Sequence, residues 1–230
     1  MKEIEILGEG HFSKVIKFGT KVLKILKNKL NNDELTKNSK RELNCHFYIK
    51  KYLKDNPNLS PEVYKNILVI DGYFGSHSDQ VKSIKDFESV IGGKFDVIKN
   101  LIKQEFKELE IFYFDYYQYI TLNDYINNSN VKFKELFLKS LPNSYRKIDN
   151  LKITRDILQG LDFLHKLSIS HHDLKGDNII LVNDNNQYYA KIIDFGLATH
   201  EKHISNNKSY ITCGTIAYMS PEKLNISLEK

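Results

Sequence analysis

An Asp, a Lys two residues on and an Asn five residues on share one short loop in His171-His172-Asp173-Leu174-Lys175-Gly176-Asp177-Asn178. Further along, at the end of an apolar run, stands Asp194-Phe195-Gly196. The carboxylate of Asp173 could accept a proton, and the ammonium of Lys175 could neutralise a phosphate. Asn178 and Asp194 together could hold a divalent cation through oxygen. These are the parts that phosphoryl transfer needs, because that chemistry is mostly positioning and charge neutralisation.

Near the start of the chain, Gly8-Glu9-Gly10 follows a short apolar strand, Ile4-Glu5-Ile6-Leu7. Two glycines one residue apart let backbone approach phosphate oxygens with no Cβ in the way. A plain hairpin would use the same pattern. After a Gly19-Thr20 turn comes a third strand over residues 21–26, whose period of two puts Val22 and Lys24 on one face. Taken alone, Lys24 reads equally as a solvated lysine in a Lys-rich segment.

The elements that must position these groups follow from hydrophobic periodicity. Leu43, Phe47, Ile49 and Leu53 predict a helix over residues 33–56, closed by Pro57, which cannot continue it. Residues 63–74 are strand-like, with Ile67-Leu68-Val69-Ile70 as their core. Val81, Ile84, Phe87 and Ile91 recur at helical spacing before Gly92-Gly93, and Phe95, Ile98, Leu101, Ile102 and Phe106 after it. The spacing predicts a helical hairpin inserted at about 75–108. Residues 109–114 form an apolar strand, residues 127–146 a polar loop. Ile153, Ile157, Leu158, Leu161 and Leu164 make one stripe of a strong helix over 151–167. Residues 179–182 and 190–193 flank an Asn/Asp turn as a hairpin.

Composition sets the class. The 230 residues are 41% hydrophobic and 27% charged, ordinary for a globular protein. The net charge of +5 is spread among scattered lysines, so no nucleic-acid partner is expected. Cys45 and Cys213 form no C-x-x-C pair, which argues against a disulfide framework or a zinc site. The first residues lack a signal-peptide apolar region, and no run approaches the roughly 18 apolar residues of a membrane span. An intracellular, cytoplasmic protein with no membrane partner is expected.

The order of these motifs resembles the eukaryotic-type protein kinase domain: a Gly-rich loop, a strand Lys, a helix Glu, H-x-D-L-x-x-x-N, D-F-G and a final Pro-Glu. The resemblance runs from Leu7 to Glu222. It implies an α+β, two-lobed fold. The N-lobe, residues 1–114 with the insertion at about 75–108, would be an antiparallel sheet plus helix C. Residues 115–230 would be the hinge and a mainly helical C-lobe lacking its last helices. Under the resemblance Asp173 is the catalytic base and Lys175 its partner. Lys24 holds the phosphates and Glu42 orients it, with Glu34 as competitor. Leu7, Gly8, Gly10, Ser13, Val15 and Val22 cover ATP, and backbone groups of Asp115 and Tyr117 meet its adenine. Phe114 backs the adenine pocket. Asn178 and Asp194 bind Mg2+, while Thr215 and Glu222 mark the activation segment. Lys175 together with Thr215 resembles the Ser/Thr-specific branch, with ATP and Mg2+ as cofactors and a protein as substrate.

The pattern departs from the family at Ser13, which replaces the third glycine, at Val22, which replaces Ala, and at His172, which replaces Arg. Two further readings stand beside an active kinase. One is a nucleotide-binding pseudokinase serving as regulatory or scaffold module. The other is a small-molecule phosphotransferase, which would not be expected to carry the segment from Thr215 to Glu222. With a C-lobe lacking its last helices, Ile157, Leu161 and Leu164 are expected to lie partly uncovered, stabilised by a partner protein or by self-association.

In the family the residue at position 172 is an Arg that clamps a phosphate on the activation loop, whereas His is only partly charged near neutral pH. The double variant Ser209→Ala/Thr212→Ala should therefore keep most of its phosphotransfer activity. A collapse of kcat in that variant would mean another cation has taken over the clamp.

Overall fold

Strict alternation writes the first sheet. In β3 (Lys21–Leu26), Leu23 and Ile25 are buried, while Val22 and Lys24 lie half-buried on the opposite face. A computed structural model describes residues 4–9, 13–26, 33–75, 110–127, 135, 150–184, 187–203 and 213–228. Its chain divides into two units, Met1–Leu43 with Val69–Tyr116, and Asn44–Leu68 with Tyr117–Lys230.

The first unit is a five-stranded antiparallel sheet in the order β1-β2-β3-β5-β4. Its strands are β1 (Ile4–Glu9), β2 (Ser13–Phe18), β3, β4 (Gly72–Phe74) and β5 (Glu110–Asp115). Gly8 pairs with Val15, Val15 with Lys24, and Lys24 with Phe112. Residues directly opposite in a ladder point to one face, so Val15 and Lys24 share a face with Val22. The other face carries the core of Ile16, Phe18, Leu23, Ile25, Ile111 and Tyr113. Helix α1 (Asp33–Asp55) begins in this unit and ends in the second.

Asn56 ends α1: its backbone N–H and its side-chain amide both donate to the Tyr52 carbonyl, at 3.0 and 2.8 Å. The run at 63–74 departs from expectation. A single turn of 3-10 helix (Pro61–Val63) precedes it, and only residues 72–74 form a strand. Ile67 makes one isolated parallel bridge to Ile192, and Asn66 O and Leu68 N bond that residue's backbone at 2.9 Å. The apolar run is buried by docking on one strand edge; it has no ladder of its own.

The second unit continues with β6 (Gln118–Thr121), α2 (Leu122–Asn127) and α3 (Asn150–Lys166). Then come β7 (Ile169–Ser170), β8 (Ile179–Asp184), β9 (Gln187–Ile192), β10 (Thr199–His200) and α4 (Pro221–Leu228). β6-β8-β9 form one antiparallel sheet, and β10 pairs with β7. Ile120, Ile153, Ile179, Leu181, Tyr188 and Ala190 make the core between this sheet and α3. Gly160 permits that approach, because a Cβ there would sit 2.8 Å from the Asn66 carbonyl oxygen. Buried Asp156 joins helix to sheet by accepting the Ala190 N–H at 3.0 Å and Lys152 at 2.7 Å. The chain leaves α3 through Ser168, in left-handed conformation at φ 55°.

The expected α+β class with an antiparallel-sheet N-terminal part holds. The helical hairpin expected at 75–108 falls outside the described residues except for Gly75, as does most of the loop expected at 127–146. The stripe on α3 needs correction. Leu164 is 0% exposed and fully covered, whereas Ile157 and Leu161 are half-buried as expected, Ile157 packing against the core. The exposed apolar residues of this helix are instead Leu151 and Leu158, at 76% and 60%. They sit a near-multiple of the helical repeat apart, on a face away from Ile153, Phe163 and Leu164.

Truncating Leu164 to Ala should therefore cost about 2–5 kcal/mol of unfolding free energy, the range for a buried Leu. Leu158→Ala should stay within about 0.5 kcal/mol of the parent. Urea denaturation of the two variants checks the assignment, and comparable losses would contradict it.

Candidate active site

The β8–β9 hairpin delivers the cation-binding candidates. Ile179 opens β8 opposite Ile192, which closes β9, so Asn178 and Asp194 flank the same end of the ladder. The Ile193 N–H donates to the Asn178 carbonyl at 3.0 Å and holds the two segments together. Asn178 is buried in a turn of 3-10 helix (Gly176–Asn178), and its amide nitrogen donates to Asp173 twice. Those bonds reach the carbonyl at 2.8 Å and the carboxylate Oδ2 at 3.0 Å.

Asp173 is then surrounded by donors. Its Oδ1 accepts from the Thr215 N–H at 2.9 Å and from the Thr215 hydroxyl at 2.7 Å. Lys175 Nζ lies 3.1 Å from its Oδ2 and donates to Thr215 Oγ1 at 2.8 Å. Burial pushes the Asp173 pKa up, but the bonds from Thr215 and Lys175 and the charge of Lys175 outweigh it, so the carboxyl stays below its ordinary value. The group is an anion at neutral pH, set to orient a hydroxyl. Gly214 makes the contact with Thr215 possible: its φ is 127°, and a Cβ there would lie 2.5 Å from the His172 carbonyl oxygen.

His171 locks the loop from the other side. Its Nδ1 accepts the Asp173 N–H at 3.3 Å, which leaves Nε2–H to donate to the Ile193 carbonyl at 3.0 Å. Its ring meets Phe195 at 5.4 Å, and Phe195 meets His46 edge-on at 5.1 Å. A column of three aromatic rings thus fixes the residue next to Asp194. His172 and Asp194 both hold left-handed backbone at φ 65°. His172 Nε2 contacts Thr199 Oγ1 at 2.8 Å, and His200 stacks on Tyr48 with centroids 3.7 Å apart.

In the first unit, Lys24 Nζ donates to both carboxylate oxygens of Glu42 at 2.8 Å. Glu42 is 2% exposed, so this is a buried, two-oxygen pair. Glu34 lies on the same helix with no described side chain. Leu7, Gly8, Ser13, Val15 and Val22 lie on β1, β2 and β3, while Gly10 falls outside the described residues. Asp115 ends β5, Phe114 beside it is buried, and Tyr117 follows in the second unit. Glu222 sits in the first turn of α4, where its own backbone N–H and the Ser220 hydroxyl hold its carboxyl below the ordinary value. That is the role of a residue opening a helix.

The residues fit a magnesium ion. Asn178 donates its amide nitrogen to Asp173, so its hard amide oxygen is the atom that could serve a cation, and Asp194 could add a carboxylate. No cluster of three or more His, Cys, Asp or Glu able to hold a metal occurs among the described residues. Two protein ligands completed by substrate phosphates and water is the usual arrangement for Mg2+. Sequence reasoning passed over the aromatic column and the Thr215–Asp173 contact. The first had a signal in His46, an imidazole on the buried side of a helix; the second had none beyond residue type.

The model of the protein kinase domain matches residues 93–229. Calcium-dependent protein kinase 4 of Plasmodium falciparum is 32% identical over 146 residues, 63% of this chain and 26% of that protein. Myosin light chain kinase 2 of Rattus norvegicus is 38% identical over 93 residues, 40% of this chain and 15% of its own. Probable serine/threonine-protein kinase gdt4 of Dictyostelium discoideum is 37% identical over 114 residues, 48% of this chain and 6% of its own. The chain thus spans about a quarter or less of the length of these relatives. No helix among the described residues is long and apolar enough to cross a membrane.

The lowered pKa of Asp173 has a definite sign in stability. A carboxyl held below its unfolded value contributes stability above about pH 4, and that contribution is lost as pH falls through the folded value. The stability gap between wild type and Asp173→Asn should therefore be largest near neutral pH and close below about pH 4. Urea midpoints between pH 7 and pH 3 measure it. A gap that stays constant or widens on acidification would contradict the assignment.

Proposed function

Because the chain belongs to the protein kinase family, we propose that it is an ATP- and Mg2+-dependent serine/threonine protein kinase. One observation carries the reading: Asp173 already accepts an alcohol O–H at 2.7 Å, from Thr215, with the Lys175 ammonium 3.1 Å from its other oxygen. A substrate serine or threonine presents the same group. Asp173 orients the incoming hydroxyl and takes its proton as the new O–P bond forms and the γ-phosphorus parts from the β-phosphate oxygen, releasing ADP. Lys175 neutralises charge beside it. Lys24, held by Glu42, steadies the phosphates. Asn178 and Asp194 offer oxygen to Mg2+, whose charge, when bound, screens the phosphates from one another. Leu7, Gly8, Gly10, Ser13, Val15 and Val22 cover the nucleotide, and backbone groups of Asp115 and Tyr117 meet the adenine edge. The substrate is a protein, as in the family.

Radiolabelled ATP offered with a generic protein substrate tests the reading. Asp173→Asn should cut phosphate transfer by about 100-fold or more; equal labelling by the two proteins would end the proposal. Asp194→Ala should abolish Mg2+-dependent nucleotide binding in calorimetry. Unchanged affinity for Mg·ATP would remove Asp194 as a ligand.

A further inference from the structure

We propose that Lys21 is a positioning residue for the adenine end of the nucleotide, acting by fixing the first residues of the hinge. The inference rests on the reading above, in which backbone groups of Asp115 and Tyr117 meet the base. Lys21 and Asp115 stand directly opposite in the β3–β5 ladder. The Lys21 ammonium donates to Asp115 Oδ1 at 2.7 Å and also to Asp71 Oδ2. Asp71 is itself fixed, because its N–H donates to the Tyr113 carbonyl at 2.8 Å. The next hinge residue has tethers of its own. The Tyr116 N–H donates to the Thr20 carbonyl at 2.9 Å, and the Lys17 ammonium lies 4.0 Å from the centroid of its ring. The β2–β3 hairpin therefore grips two consecutive residues of the hinge, with Lys21 at the centre.

Burial draws the Lys21 pKa down, but the bonds to Asp115 and Asp71 and their charges prevail and hold it above the ordinary lysine value. The ammonium is charged throughout the physiological range. Asp115 is 57% exposed on its side chain, and ion pairs that wet contribute little to stability. What the arrangement supplies is direction: one cation shared by two carboxylates sets where the backbone of Asp115 points. Small displacements of a group that positions a ligand cost far more in binding than in folding.

The experiment separates adenine from phosphate. Affinities of wild type, Lys21→Met, Lys21→Arg and Asp71→Asn are measured for Mg·ATP and for Mg·tripolyphosphate, which has no base. Lys21→Met should weaken Mg·ATP roughly tenfold and leave tripolyphosphate unchanged. Lys21→Arg should restore most of the loss, and Asp71→Asn should show a smaller loss confined to ATP. In the transfer assay the effect should fall on KM for ATP, with kcat within about twofold. If Lys21→Met loses its fold, Asp71→Asn, which keeps the Lys21–Asp115 bond, carries the same comparison. Equal weakening of both ligands, or of neither, overturns the proposal while the kinase reading stands. A wild type that binds no Mg·ATP takes down both.

Discussion

The pairing of β8 with β9 is the constraint on which the candidate site depends. Its register, Ile179 opposite Ile192 and Asp184 opposite Gln187, decides that Asn178 and Asp194 emerge at one end. Ile179, Ile180, Leu181 and Val182 are all buried, so both faces of β8 are covered. The backbone of β9 is pinned from outside as well. Asp156 takes the Ala190 N–H, Asn66 donates to the Ala190 carbonyl and accepts the Ile192 N–H. From there bonds run onward through Ile193 into Asn178 and His171, and through both into Asp173. The loop thus inherits its shape from the sheet.

The two ion pairs among the candidate residues, one in each unit, obey different rules. Glu42 is almost completely buried and Lys24 is half-buried, so desolvation consumes much of their attraction. Such a pair is poor evidence for stability; its two equal bonds of 2.8 Å give the ammonium a fixed direction. Lys175 and Asp173 are more open, and they share a third group, the Thr215 hydroxyl, which bridges cation and anion. There the carboxylate is held by several moderate bonds, so losing one donor leaves the others in place.

Much of the fold is legible in the sequence, for reasons that differ by element. Helix α3 reads clearly because its apolar residues repeat at helical spacing over several turns, and the β8–β9 hairpin because apolar runs flank a polar turn. The run at 67–70 misled because an apolar stretch announces burial without saying what buries it; here the partner is a strand edge at Ile192, distant in sequence. The exposed position of Leu158 was misjudged for a related reason, since a helix stripe wider than its contact leaves one border wet. Of the candidate site, the catalytic loop and D-F-G were legible as residue types at fixed spacing. That Thr215 would meet Asp173, or Lys21 would join Asp71 to Asp115, depends on turns and registers that no local pattern encodes.

Among the described residues, three that are not glycine, Ser168, His172 and Asp194, hold left-handed backbone, and each carries a penalty of about 1–2 kcal/mol for its Cβ. The three are unequal in what their side chains do. Ser168 only turns the chain out of α3, so glycine or asparagine there would relieve the strain at no chemical loss. His172 contacts Thr199, and Asp194, whose Oδ1 accepts the Gly196 N–H at 3.3 Å, stands next to the aromatic column with a carboxylate that could serve a cation. Sequence drift under pressure for stability alone would erase all three, starting with Ser168. Drift under pressure for chemistry would hold the last two against their own backbone. A repertoire of folded, randomised variants should therefore separate these positions by which substitutions survive.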